Sequence, residues 1–270
     1  MTEAPPHVDW DQQARLATFA ALRARDDLAR DYVLKGGLVL QRVFGSPRAS
    51  DDIDLNHAQA HVNAMSAAHR AKLQGVCDRL DGALAETADA FGLATAGLRV
   101  VKWSDVLPTV FAETAYRAEP EGGEPVEGAV EVQVTLCEAV CHTVLARIDR
   151  VPVLAATLDD VVADKLKVLL QQARRHKVRH SDVYDLWFAL VEAPFVPDPA
   201  AVRAALLTKL ESWPEYLPLR REAFRQETVR TFAEQGYRAL RAEQPDLPFA
   251  PFDVVWDEVQ AFVDAINLEA

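Results

Sequence analysis

The sequence predicts an α/β fold of the α+β type: a mixed sheet flanked by helices up to about residue 150, then a helical domain over residues 151–270. Three observations lead to this prediction. The segment AVEVQVTL alternates strictly, with its apolar residues from Val130 to Leu136 on one face, as in a half-buried strand. Segments with helical periodicity separate it from other short strand-like segments. After Pro152, long helical patterns dominate.

In the first domain the predicted elements alternate between helix and strand. Helical periodicity covers residues 9–31, and the segment DYVLKGG is then predicted as a short strand that ends in glycines. GLVLQRVF is predicted as a helix that stops at a glycine and a proline, and SDDIDLN as a strand. Residues 63–92 predict one or two helices, residues 98–116 a strand or strand pair, and residues 119–128 a loop.

The second domain is predicted to be helical throughout. Residues 157–179 form one long helical pattern, for which Thr157 or Asp159 is a suitable N-cap. Residues 181–193 predict a second helix with Ser181 as its cap. The remaining helices are interrupted where prolines cluster.

Composition excludes several classes of protein. Among the 270 residues, 41 acidic and 29 basic residues give a net charge of −12, so the chain as a whole repels nucleic acid and anionic membranes. An RNA substrate would therefore require a local basic patch. Apolar runs are too short for a membrane span, and no signal peptide is recognisable, which together predict a cytoplasmic protein. Three cysteines do not predict a disulfide framework.

Asp52 and Asp54 are the first candidates for chemistry. On a strand both carboxylates project from one face while Ile53 points into the core, and their Cα atoms lie roughly 6.5–7 Å apart. Carboxylates at that distance suit Mg²⁺ or Mn²⁺ and the two-metal mode of phosphoryl transfer. Glu131, on the polar face of the AVEVQVTL strand, is the predicted third carboxylate. A solvated loop remains the alternative for this acidic segment.

The step Gly36–Gly37 strengthens the catalytic interpretation. Glycines allow backbone N–H groups to approach a phosphate closely, and the helix that follows directs its positive end toward the same anion. An ordinary turn is the alternative. Two further metal-binding patterns are weak, because His57 and His61 at helical spacing lack a third ligand and Cys137 and Cys141 lack a second cysteine pair.

At this point the residues resemble a known family. LKGGLVLQRVFGSPRASDDIDL is similar to the first signature of the AbiEii/AbiGii (MenT-like) nucleotidyltransferase toxins, within the DNA polymerase β superfamily. The matching positions are Gly36, Gly37, Arg48, Ser50, Asp52, Ile53 and Asp54. In this chain a leucine, Leu38, stands where the superfamily often has serine, so phosphate contacts are expected from backbone amides and from Lys35, Arg48 or Ser50.

The second family signature lies about 110 residues further along the chain. The resemblance implies that Lys165 and Asp185 are functional residues, with Arg179, Asp182 and Tyr184 completing the signature. Lys165 is a flexible point charge suited to a triphosphate, and Lys167 is its alternative. If Asp185 is buried it needs a cationic partner, for which Lys165 or Arg179 would serve.

The densest basic run is ARRHKVRH. It supplies Arg174, Arg175 and Lys177 as the predicted RNA-binding patch of an otherwise acidic protein. The alternative is a solvated helix end whose cations complement the helix dipole.

Together these features predict a metal-dependent nucleotidyltransferase that binds an NTP. The resemblance implies the toxin of a toxin–antitoxin (abortive infection) system, with a tRNA 3′ end as acceptor and a cognate antitoxin protein as partner. Two alternatives stay open. One is transfer to a small molecule such as a cationic antibiotic, and the other is a catalytically silent nucleotide-binding module.

Overall fold

The computed structural model describes residues 8–58, 62 and 64–268. The strands in this part of the chain are β1 Tyr32–Lys35, β2 Ile53–His57, β3 Leu93–Trp103, β4 Thr109–Ala118, β5 Val126–Thr135, β6 Thr143–Ile148 and β7 Val151–Ala156. The α-helices are α1 Trp10–Arg23, α2 Asp26–Asp31, α3 Gly37–Arg42, α4 Ala67–Thr87, α5 Leu158–Arg175, α6 Asp182–Trp187, α7 Pro199–Glu211, α8 Glu227–Glu243 and α9 Phe252–Ala265.

The seven strands described form one mixed sheet in the order β3-β4-β5-β2-β1-β7-β6. The pairs β2/β5 and β1/β7 are parallel, and the remaining neighbours are antiparallel. Helices α1 and α4 cover one face, where α1 packs on β4, β5 and β7 and α4 packs on β3. The prediction of a mixed sheet flanked by helices is confirmed.

Strand β5 shows the predicted alternation over most of its length. Val130, Val132 and Val134 are buried and Glu131 is exposed. Thr135 differs from the prediction, because it is buried rather than on a polar face. Its hydroxyl lies 2.8 Å from the hydroxyl of Thr109, so the polar group is satisfied inside the protein.

The predicted domain boundary at residue 150 falls inside the sheet. Asp149 and Arg150, both with positive φ, form the turn between the antiparallel strands β6 and β7. Pro152, which stands at the start of the predicted helical domain, pairs with Arg147 within this hairpin. β7 pairs with β1 at Ala155, and Pro152 has no pairing partner on β1. The lack of a backbone N–H at Pro152 therefore removes no hydrogen bond between β7 and β1. The helical region begins at Leu158.

Helix α5 begins as predicted and ends earlier than predicted. The Thr157 side chain accepts a hydrogen bond from the Asp160 backbone N–H, which makes it the N-cap. The helix ends at Arg175, because His176 adopts the left-handed conformation. Ser181 is the N-cap residue of α6, but its side chain makes no capping hydrogen bond. None of the helices described is both long and apolar enough to cross a bilayer.

Candidate active site

A cleft of about 270 Å³ lies between the centre of the sheet and helix α5. Most of the predicted site residues border it. They are Gly36, Gly37, Arg48, Ser50, Asp52, Asp54 and Lys165. The structure therefore brings the first signature and the lysine of the second signature together, although they are more than 100 residues apart in sequence.

The two aspartates occupy neighbouring positions at the start of β2. Asp52 is exposed just before the strand, and Asp54 is partly buried within it. In the sheet Asp54 pairs with Lys35 of β1 on one side and with Gln133 of β5 on the other. Burial raises the pKa of Asp54 against the opposing charge of Lys35, and the charge of Asp52 raises it further. The carboxylates thus form a like-charged pair that a cation would stabilise.

Glu131 lies on β5 near the aspartate pair, but Gln133 is the residue of this strand that pairs with Asp54. Glu131 precedes Gln133 by two positions on β5, so both project from the same face. Both border a second hollow, of about 340 Å³, that also contains Asp52 and Asp54. Within the described residues, no group of three or more His, Cys, Asp or Glu side chains is arranged to hold a metal ion. Glu131 as the third metal ligand stays a prediction.

The glycine step has a steric reason in addition to any role with phosphate. Gly36 has a φ of +78°, and a Cβ there would lie 2.3 Å from Oδ2 of Asp54. A Cβ on Gly37 would lie 2.1 Å from Nη2 of Arg48 and 2.6 Å from Oγ of Ser50. Only glycines therefore allow the turn between β1 and α3 to pass this close to the candidate site residues.

Arg48 and Lys165 are held by a buried carboxylate pair. Arg48 donates two hydrogen bonds to Asp185, at 2.6 and 3.0 Å, and Lys165 Nζ lies 2.6 Å from Asp185 and 2.8 Å from Asp182. Burial opposes ionisation of Asp185, but the charges of Lys165 and Arg48 outweigh it and lower the pKa of this carboxyl. Arg179, the other predicted partner, pairs with Asp182 instead.

This network changes two of the expected roles. Asp185 is fully buried behind Lys165 and Arg48, so it would act through those cations rather than on a substrate. Arg48 borders the cleft, but its guanidinium is engaged by Asp185 and by the carbonyl of Ala49. Arg179 has a side chain that is 56% exposed and is the most accessible cation at this end of the cleft.

A second buried charge network lies beside the first and was not predicted from the sequence. Glu138 pairs with Lys35 and with Lys167, and Asp164 pairs with Lys167 at 3.0 Å. Lys209 of α7 joins the network through Asp164, at 3.2 Å. Burial would raise the pKa of Asp164, but the charges of Lys167, Lys209 and Lys35 lower it to about 2. This network fixes the loop after β5 and the end of β1 against α5.

The predicted RNA-binding residues lie on the surface at the end of α5. The guanidinium of Arg174 lies 5.5 Å from the ring centre of Tyr216, and that of Arg175 lies 4.7 Å from the ring centre of Trp213. Lys177 is exposed beyond the helix end. The run is therefore accessible, although Arg174 and Arg175 also stack on aromatic rings of the helical region.

The two weak metal patterns gain no support. His57 ends strand β2, and its Nε2 lies 2.9 Å from Nζ of Lys72, whereas His61 lies outside the described residues. Cys137 is buried with its sulfur 2.8 Å from the hydroxyl of Thr135, and Cys141 is partly buried.

The comparison with protein families shows the family of this chain. The family model described as "Nucleotidyl transferase AbiEii toxin, Type IV TA system" matches residues 20–264. The chain belongs to the AbiEii toxin family. AbiEii proteins are nucleotidyltransferases of type IV toxin–antitoxin systems, so membership implies an NTP substrate and an antitoxin partner. No curated protein sequence is significantly similar to this chain.

Two solved structures are similar to this AbiEii chain. JHP933 from Helicobacter pylori is 14% identical, with a TM-score of 0.53, and the match covers 96% of this chain and 92% of that protein. An antigenic nucleotidyltransferase-like protein from Paracoccidioides brasiliensis is 19% identical, with a TM-score of 0.41 over 80% of this chain and 93% of that protein. The first of these similarities supports the shared fold.

Sequence reasoning missed Glu138 and Asp164 in this AbiEii chain. Glu138 lies three residues after the end of β5, in the apolar context LCEAV, where a buried charge is least expected without a function or a partner. Asp164 is adjacent to Lys165 and lies at i, i+3 from Lys167, a spacing that places Asp164 and Lys167 on one helical face. These two signals could have identified the second network.

Proposed function

We propose that this chain transfers a nucleoside monophosphate from an NTP to an acceptor hydroxyl at a tRNA 3′ end and releases pyrophosphate. The observation that carries the proposal is one cleft that contains the Asp52–Asp54 pair, the Gly36–Gly37 turn and Lys165. Such a transferase would act in the cytoplasm as the toxin of a toxin–antitoxin pair, and a cognate antitoxin protein would neutralise it.

The donor atoms around the cleft fit a divalent cation. Asp52 and Asp54 would hold Mg²⁺ or Mn²⁺, with Glu131 as the third protein ligand, because hard oxygen donors suit both ions. A bound ion supplies the positive charge that stabilises the transferred phosphoryl group. The like charges of the two aspartates and the raised pKa of Asp54 support an arrangement that gains from such a cation.

The remaining groups would bind and orient the triphosphate. Backbone N–H groups of the Gly36–Gly37 turn, the hydroxyl of Ser50 and the ammonium of Lys165 border the same cleft. Arg179, whose side chain is exposed, would contact the phosphates. Arg48 would support the glycine turn, because its guanidinium lies against Gly37. The acceptor oxygen forms a bond to the α-phosphorus as the bond to the leaving pyrophosphate breaks, and the hydroxyl proton passes to a carboxylate of the aspartate pair.

The direct test incubates the protein with each α-labelled NTP, Mg²⁺ and total tRNA, followed by a denaturing gel. We expect label to appear on tRNA with one or more NTPs and pyrophosphate to be released. The specific alternative is a small cationic acceptor, which is favoured by the acidic net charge and by the exposed Glu131, which borders the second hollow together with Asp52 and Asp54. Label found only on an added aminoglycoside would support that alternative.

Glu131→Gln is expected to lower nucleotide transfer by more than about tenfold, because it removes a predicted metal ligand. Glu113→Gln is the matched control, since Glu113 pairs directly with Glu131 but lies one strand further from Asp54. It should retain near-normal transfer. Gln133→Glu adds a carboxylate beside Asp54 and should not abolish transfer. Equal, small effects of Glu131→Gln and Glu113→Gln would remove Glu131 from the metal site.

The basic run is expected to bind the acceptor RNA through its phosphates. The triple substitution Arg174→Ala, Arg175→Ala and Lys177→Ala should weaken tRNA binding and reduce its salt slope by about one unit per lost contact. NTP binding should stay close to normal, because the cleft is unchanged. Lys177→Ala alone avoids the two stacked arginines, and Arg147→Ala on edge strand β6 is the control. Unchanged tRNA affinity across the salt series would show that the RNA-binding site lies elsewhere on the protein.

A further inference from the structure

The second hollow is a continuation of the candidate active site onto the open face of the sheet. It shares Asp52, Asp54 and Gln133 with the cleft, and it extends over β5 and β4 to β3. Phe111 of β4 is 39% exposed there, although β4 lies inside the sheet. The face covered by α1 and α4 is the opposite one, since Val110 and Ala112 beside Phe111 are buried.

Strand register fixes a row of side chains on this open face. Lys102 pairs with Phe111, Phe111 with Gln133, and Gln133 with Asp54. Paired residues of neighbouring strands project from the same face, at a strand spacing of about 4.8 Å. Phe111 is therefore two strands, or about 10 Å, from the Asp54 position.

An irregularity in β3 adds Val101 to the far end of the row, beside Lys102. The register shifts between Val100 and Lys102, so Val101 is an extra residue in the strand. Such a bulge redirects side chains, and here Val101 and Lys102 both border the hollow. Lys102 is exposed, and no carboxylate in the described part of the chain forms an ion pair with it. We name Val101, Lys102 and Phe111 the shelf.

In-line displacement gives the shelf a position in the reaction. The attacking and leaving oxygens must approach the α-phosphorus from roughly opposite sides. The glycine turn and Lys165 lie on one side of the aspartate pair, where the triphosphate would be bound. The shelf lies on the other side of the same pair, which is the side from which an acceptor hydroxyl must come.

We infer that the shelf binds the terminal nucleotide of a single-stranded RNA acceptor, with its base on Phe111 and Val101 and a backbone phosphate at Lys102. This inference rests on the proposed function and deepens it. An exposed aromatic ring on a sheet is a stacking platform for any base, and a neighbouring lysine tracks the backbone. The adjacent Arg99–Glu113 pair is neutral, so Lys102 supplies the positive charge of the shelf, while Asp52, Asp54 and Glu131 supply carboxylates in the rest of the hollow.

Steady-state kinetics with total tRNA test the shelf. Phe111→Ala should raise the KM for tRNA by about tenfold or more, whereas Phe111→Tyr should stay close to wild type. Lys102→Ala should raise the same KM and reduce the salt slope of tRNA binding by about one unit. Binding of NTP without acceptor should be unchanged in all three variants. The partly exposed position of Phe111 makes these substitutions compatible with folding.

Arg117→Ala is the matched control, because Arg117 is exposed on the same strand and face about 20 Å from Phe111. Wild-type transfer to tRNA with unaltered KM in Phe111→Ala and Lys102→Ala would overturn the shelf and leave the proposed function standing. A wild-type protein that labels no RNA would overturn both. Faster transfer to an aminoglycoside in Lys102→Ala would replace the RNA by a small cation as the occupant.

Discussion

Asp54→Asn is expected to reduce nucleotide transfer by more than about a hundredfold, because it removes a charged ligand of the predicted metal while keeping the side-chain volume. The fold should remain intact. Burial raises the pKa of Asp54, so the protein environment disfavours the charged carboxylate that the substitution removes. Lys35, its neighbour in the sheet, keeps its ion pair with Glu138. Transfer of label from the NTP and thermal unfolding measure the two effects separately.

Asp51→Asn provides the matched control for the aspartate pair. Asp51 precedes Asp52 directly, but its carboxylate pairs with Arg15 at 3.0 Å and is 78% exposed. The same chemical change should there leave transfer close to wild type, whereas Asp52→Asn should resemble Asp54→Asn. Binding of Mn²⁺, followed by titration without any nucleotide, should weaken in Asp52→Asn and Asp54→Asn only. Near-normal transfer in either variant would contradict the metal-dependent mechanism.

The local features of this site could be predicted from the sequence because they depend on short spacings. Asp52 and Asp54 share a face because side chains alternate along a strand. The glycine step stands where the predicted first strand ends. Lys165 was selected by the resemblance to a family, and spacing alone would not have distinguished it from Lys167. The same local reasoning predicted that buried and exposed side chains alternate along most of β5, because this alternation does not depend on how the strand pairs with its neighbours.

The buried ion pairs could not be predicted, because their partners are distant in the chain. Arg48 and Asp185 are 137 residues apart, and Lys35 and Glu138 are 103 residues apart. A sequence shows that such charges need partners if they are buried, but the choice among partners depends on how the sheet and α5 pack. Strands β6 and β7 were missed because Pro152 suggested a break, although it lies where a strand tolerates proline.

Asp185→Asn is expected to lower the free energy of unfolding by about 3–5 kcal/mol, which urea denaturation measures. The carboxylate is fully buried and is the carboxylate partner of Arg48, so the substitution leaves a buried guanidinium uncompensated. Lys165 keeps its ion pair with Asp182, at 2.8 Å, so its ammonium is not left uncompensated. Glu243→Gln is the control, because the His180–Glu243 pair is exposed and its loss should cost less than about 1 kcal/mol.

A double substitution separates the structural role of Asp185 from its role in the site. Replacing a whole buried ion pair by apolar residues is often close to neutral, whereas breaking one leaves a buried charge. Arg48→Met with Asp185→Leu should therefore be more stable than Asp185→Asn alone. If Asp185 positions Lys165 for the triphosphate, the double variant should recover stability but keep a raised KM for NTP. Recovery of both properties would reduce Asp185 to a structural residue, and a loss of less than about 1 kcal/mol in Asp185→Asn would contradict the buried network itself.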